Sequence, residues 1–274
     1  MYSGWLLTNQ SGEIFGAHQK INRIAWKRLN ELDDSDTSRF PSVKLVQHFE
    51  GRNGPDGLKQ KSPGQDEPHH FYYPDNPDAT DLLQHLRDHY SGLVEALSKQ
   101  DMDRAAYEAA WLSHVLTDGL TPAHHHPYEE EYEEIAGYKP SDRTKPSERM
   151  MIKGEGVYDT ARKNWDFWGA KGLFMTHGLF ELGFAGIIKP LRFKHAAPTE
   201  YDLKLLDHHG IEEVFKRYAE QVAELDMYTR FYERGWTTKL ARDVREVLAP
   251  TIIKCVTLAW YSALKESKPQ SQQK

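Results

Sequence analysis

The chain has 274 residues, a formal charge of -6, 39% hydrophobic and 28% charged residues, which is long enough to bury a full core without staples. The negative charge argues against a broad electrostatic footprint for duplex nucleic acid. No apolar run reaches the roughly 18 residues of a membrane span, so an integral membrane protein is not expected.

In chain order, Ile21, Ile24, Ala25, Arg28 and Leu29 predict a helix over 17–32 with His18 in its first turn, and a short helix follows over 43–49. Residues 50–78 are rich in Gly and Pro and read as a long loop, which usually means function or disorder. Its aromatic end, His69-His70-Phe71-Tyr72-Tyr73, favours an ordered, functional loop. Helices are predicted over 79–97 and 102–116, with Asp101 or Asp103 near the second start and Ala105, Ala106, Ala109 and Ala110 allowing close packing. The acidic run 129–134 and the polar stretch to Gly156 read as a solvated excursion. Further helices are predicted over 158–167 and 174–188, the latter with Gly178, Gly183 and Gly186 available for close approach. Two long helical patterns, 211–234 and 236–265, close the chain, the second kinked at Pro250.

Hardly any segment alternates with period two. The expected fold is therefore all-α, a single-domain multi-helix bundle over residues 1–266 with long metal-binding loops and a disordered tail over 267–274.

Candidate chemistry concentrates in His114-Val-Leu-Thr-Asp118-Gly-Leu-Thr-Pro-Ala-His124. His114 and Asp118 are four apart, so they share a helix face and can reach one ion or two adjacent ones. Gly119 and Pro122 then break the helix and deliver His124 from a turn. His177-Gly-Leu-Phe-Glu181 repeats the four-residue pairing in another apolar helix, and His70 sits in the loop. With fourteen histidines and only Cys255, a disulfide and a thiolate zinc site are excluded, and any metal is held by nitrogen and oxygen. Such donors suit zinc in a hydrolytic site. Cys255 itself reads as a buried core thiol. Serine-hydrolase, phosphate-loop and dinucleotide motifs are absent.

The segment His114 to His124 resembles the His-x3-Asp-x5-His signature of the zinc-dependent phospholipase C family, whose relatives include single-strand-specific zinc nucleases. His70-Phe-Tyr-Tyr-Pro-Asp-Asn76 is similar to that family's His-Phe-Tyr-Asp-Pro-Asp-Asn loop, and His177/Glu181 to its His-x3-Glu/Asp pair. Gly16-Ala17-His18-Gln-Lys-Ile-Asn22-Arg23 resembles its first ligand helix, and Leu258-Ala-Trp260-Tyr-Ser-Ala its closing one. The resemblance implies two to three zinc ions. One would be held by Asp56, His70, His114 and Asp118, with Asp66 an alternative to Asp56. A second would be held by His124, His177 and Glu181, and a third by His18 with Asp118 bridging. The third would be completed by Trp5 if processing frees its amine.

The activity so implied is phosphodiester hydrolysis by a metal-activated hydroxide, which Asp56 would orient or deprotonate. Phospholipid headgroup esters or another small phosphodiester are the expected substrates. Single-stranded nucleic acid is an alternative substrate, and a non-catalytic metal-binding role is another alternative. Tyr72, Tyr73, Trp165 and Trp168 are candidates for a pocket lining or for core. The first residues lack a basic n-region and a long apolar h-region, which leaves a cytosolic protein or one with a trimmed leader, and the localisation unknown.

Overall fold

A computed structural model describes residues 16–33, 35–50, 53–57, 70–76 and 81–268. The proposed roles of Trp5 and Asp66, and the reading of the first residues, lie outside them. The described residues are helical without a strand, in an all-α arrangement.

Among the described residues, eleven helices of six residues or more follow in order. They are α1 (Ala17–Leu29), α2 (Val43–His48), α3 (Asp81–Ser98), α4 (Met102–Gly119), α5 (Tyr128–Ala136), α6 (Val157–Trp168), α7 (Leu173–Ile188), α8 (Glu200–Ala223), α9 (Met227–Arg234), α10 (Thr238–Asp243) and α11 (Ala249–Glu266).

At the centre, α3 and α4 pack as an antiparallel pair. Ala105, Ala106, Ala109 and Ala110 are all fully buried, so small side chains line the α4 core where bulk would hold the helices apart. Asp101 caps α4, its carboxylate accepting from the amide of Arg104 at 3.0 Å, which satisfies one of the free N-terminal donors. The core helix α11 crosses behind this pair and is tied to it by the Trp260 indole, which donates to the Ala109 carbonyl at 3.1 Å. Cys255 is fully buried there, as its neighbours predict. The continuous stretch Thr238–Glu266 does meet the length and hydropathy of a membrane span, contrary to the sequence expectation, but 78% of its apolar window is buried against the other helices, as in a core helix.

Several boundaries differ from expectation for identifiable reasons. Helix α4 continues past Leu116 through Asp118 and Gly119. The predicted helix over 211–234 is two helices, because Asp226 takes a left-handed conformation (φ 46°) that ends α8. Helix α8 also begins earlier, at a reciprocal cap in which the Thr199 amide donates to Asp202 and the Asp202 amide to the Thr199 hydroxyl, and Gly210 (φ 75°) kinks it. Pro250 falls in the first turn of α11, just after a π-helical turn over Val244–Leu248. The wider turn accommodates the missing amide there.

The acidic run is an amphipathic helix, α5, rather than a bare solvated stretch. Tyr128, Tyr132 and Ala136 on one side bury in a small second core with Phe71, Ile152, Phe167 and Leu173. The stretch before α6 is anchored by Asn164, whose side chain both accepts from the Ile152 amide (3.1 Å) and donates to its carbonyl (2.7 Å). At the other end of the chain, Ser267 is buried and its carbonyl accepts from Arg39 at 3.1 Å.

Candidate metal centre

The end of α4 organises the site. Gly119 permits it: a Cβ there would lie 2.7 Å from the Phe215 ring, so only glycine lets this last turn sit against α8. The chain then turns through Thr121, whose amide donates to Asp118 O (2.8 Å) and whose hydroxyl donates to Thr117 O (2.7 Å). Pro122 opens the 3-10 turn Pro122–His125, which carries His124 back beside the helix end. Loop and turn are locked to each other: Tyr72 N donates to His124 O at 3.1 Å, and His124 Nδ1 donates to His70 O at 2.6 Å. That second bond fixes the tautomer, leaving His124 Nε2 for the site.

His18 from α1, His70 from the loop, and His114 and Asp118 from α4 are all essentially buried. Asp118 divides its oxygens between two directions. Oδ2 lies 2.6 Å from His70 Nδ1 and 3.2 Å from His114 Nε2, and Oδ1 lies 3.2 Å from His18 Nε2. Asp56, in a single helical turn over residues 55–57, approaches from the solvent side with its Oδ1 4.0 Å from His114 Nε2. Next to this set, His124 Nε2 and His177 Nε2 both face Glu181 Oε1, at 2.8 and 3.0 Å. Every expected ligand among the described residues is thus brought together. The donor atoms form overlapping groups: Asp56/His70/His114, His70/Asp118/His124, His124/His177/Glu181 and His18/Glu50/His114.

Glu50 is the residue that sequence reasoning missed. It is buried, and its Oε1 lies 3.0 Å from His114 Nδ1. Asn22, one turn after His18 on α1, donates to Glu50 Oε2 at 3.5 Å. The only sequence signal was Asn22 on the same helix face as His18, and nothing in the spacing pointed to Glu50.

The electrostatics ask for a cation. Burial alone would raise the carboxyl of Asp118, but it is held well below the carboxylate range, the imidazoles of His124, His114 and His18 contributing. Burial likewise opposes ionisation of Glu181, which His177 and His124 favour. For His114, burial pulls the imidazole down, and Asp118 and Glu50 overcome it, taking it up to about 10. His124 is carried by burial down to about 4. Meanwhile the His18 and His114 rings stack at 4.0 Å, nearly parallel, an arrangement hostile to two imidazolium charges. His114 Nε2 is buried without a well-formed hydrogen bond although carboxylate oxygens surround it. A divalent ion resolves this by taking neutral imidazoles and ionised carboxylates together, and the nitrogen and oxygen donors fit zinc.

The aromatic candidates divide. Tyr72 is core, edge-on to Phe215 at 5.0 Å. Phe71 instead stacks on His124 at 5.1 Å and on Tyr128 at 5.3 Å, joining the second core to the site. Trp165 stands 71% exposed. A cavity of about 350 Å³ is lined by His126, Glu131, Lys171, Thr176, Tyr228 and Tyr232 among others.

Comparison with known proteins adds one finding. The model of a family described as zinc dependent phospholipase C matches residues 17–225, a span that contains every candidate ligand among the described residues. No curated protein and no solved structure matches the chain.

Proposed function

Since the chain belongs to the zinc-dependent phospholipase C family, we propose that it is a zinc-dependent hydrolase of phospholipid headgroup esters. The observation that carries this reading is the sharing of Asp118 between the His70/His114 side and the His18 side, next to a second set on Glu181. One zinc would be held by Asp56, His70, His114 and Asp118, and a second by His124, His177 and Glu181. A third would sit at His18 and the other oxygen of Asp118. Zinc at such positions supplies positive charge to phosphate oxygens and an acidified water at neutral pH.

The chain's own residues do the rest. Asp56 is the carboxylate of the first set with a solvent-reachable side chain, 17% exposed, which supports a role in which its Oδ1 would orient a water and take its proton. Phe71 and Tyr128 close the inner wall with rings and keep bulk water from His177. Glu50 and the His70 carbonyl hold the two central imidazoles in the tautomer that turns Nε2 inward.

The test is zinc content together with turnover. Purified protein and its His114→Ala and Glu181→Ala variants would be assayed on bis(p-nitrophenyl) phosphate, phospholipid in mixed micelles and single-stranded DNA. The expected result is phospholipid and bis(p-nitrophenyl) phosphate hydrolysis lost in both variants. Activity on DNA alone would replace the substrate, and wild-type activity in both variants would remove the site.

A further inference from the structure

Of the eleven large hydrophobic side chains that stand exposed among the described residues, six fall between Met150 and Phe174. Singly scattered apolar side chains need no explanation, but a contiguous group does. Here the group falls on α6, the stretch before it and the joint after it. Tyr158 and Trp165, 84% and 71% exposed, are seven apart on α6, so they share its outer face two turns from each other, with Arg162 between them. The Trp165 indole folds over Gly169, where a Cβ would meet it at 3.1 Å. Across that joint Trp168 packs on Phe174 at 4.5 Å and donates from its indole to the Met150 carbonyl at 3.1 Å. An apolar strip thus runs down α6, over the α6–α7 joint and onto Phe174 and Met150.

Two facts say what the strip meets. It is joined to the site through α7: Lys171, Leu173 and Thr176, from the same joint, line a cavity, and α7 continues directly from Thr176 into His177 and Glu181. And it is set in positive charge: residues 139–171 carry eight Lys and Arg against five Asp and Glu, net +3, in a chain of net -6. The five glutamates of 129–134 lie on the neighbouring helix α5, whose buried side packs against Phe167 of α6. Trp, Tyr and Met flanked by cations are the side chains that settle into the headgroup layer of a membrane.

We propose that this strip docks the protein on an anionic phospholipid surface, with α6 lying along the interface and the metal cleft at its edge. The proposal rests on the lipid reading for its biological sense, but its test is independent of turnover. The metal-loaded full-length protein would be mixed with vesicles of phosphatidylcholine, with or without about one third phosphatidylglycerol, and bound protein separated by rapid sedimentation. Trp165→Ser/Tyr158→Ser and Lys153→Glu would be compared with wild type, each also assayed on soluble bis(p-nitrophenyl) phosphate. The expected result is binding stronger on the anionic vesicles and weakened roughly tenfold in the aromatic double variant, as loss of two partly inserted rings implies. Lys153→Glu would lose the preference for anionic lipid, and soluble turnover would be unchanged in both. No vesicle binding by wild type, or equal binding by the double variant, overturns the proposal even if hydrolysis is normal. A wild-type dimer that the double variant dissolves overturns it too, since a second copy would then cover the strip. Vesicle binding with no hydrolysis of any phosphodiester supports the surface and overturns the enzymatic reading instead.

Discussion

The Oε1 of Glu50 lies 3.0 Å from Nδ1 of His114 and thereby decides which nitrogen of that imidazole faces the cluster. Carboxylates in this position hold the ring orientation and raise its basicity, and their loss typically weakens metal binding 10–100-fold. Glu50→Gln keeps the shape and can still accept at the amide oxygen, but gives up the charge. The expected outcome is a fall in zinc affinity of roughly that size in a chelator competition, with the far-ultraviolet circular dichroism unaltered. Undiminished affinity would mean Glu50 only fills space.

Asp118 and Glu181 should differ in what their removal releases. Asp118 faces His70 and His114 with one oxygen and His18 with the other, whereas Glu181 faces His124 and His177. Glu181→Ala should therefore lose about one zinc per chain and Asp118→Ala more than one, measured by elemental analysis after gel filtration. Equal losses would show that Asp118 does not bridge.

What could be read from the sequence follows from how local each signal is. His114 with Asp118 and His177 with Glu181 were legible because a four-residue spacing becomes one helix face without tertiary information. Glu50 was not, because its partner His114 lies 64 residues away, across a contact that only the packing of α1, α2 and α4 creates. Glycines show the same divide. Gly178, Gly183 and Gly186 look equivalent in sequence, yet only Gly183 has a neighbour pressed on it, the Trp236 indole, and the other two face open space. The break at Asp226 left no mark either, since a non-glycine residue there takes a left-handed conformation that neighbouring structure imposes. The start of α8 was different: the Thr199/Asp202 cap is a local pattern, but the expected start at 211 passed over it.

Gly119 offers a test of how the site is positioned. Alanine in a helix normally gains up to about 1 kcal/mol over glycine. Here its Cβ would meet Phe215 at 2.7 and 2.9 Å and Leu82 at 3.1 Å, and both side chains are buried where they cannot swing aside. Overpacking of this kind costs about 1–3 kcal/mol. Gly119→Ala should therefore lower Tm by several degrees in a thermal melt, and it should weaken zinc binding by displacing the turn that carries His124. A raised Tm would show that the α4–α8 contact yields.

Glu212 gives the pH dependence a defined sign. Arg87 grips both oxygens of its carboxylate at 2.7 and 2.8 Å, and Lys216 adds a contact at 2.7 Å. Led by the Arg87 bond, these partners take the Glu212 carboxyl down to about 2. A carboxyl depressed in the folded state contributes stability that is fully present above its unfolded pKa, near 4.5, and is lost as pH falls toward the folded value. Because Arg87 is nearly half exposed, solvent screening limits the contribution to about 1 kcal/mol or less. The measurement is the urea midpoint of wild type against Glu212→Gln. The two should differ most at pH 6, where buffers without chelating groups keep the zinc in place, and converge as pH drops from about 4.5 toward 2. Half-molar salt should shrink the gap at pH 6 as well, since the pair sits at the surface. A gap that widened on acidification would mean that Glu212 is held by something other than its charge.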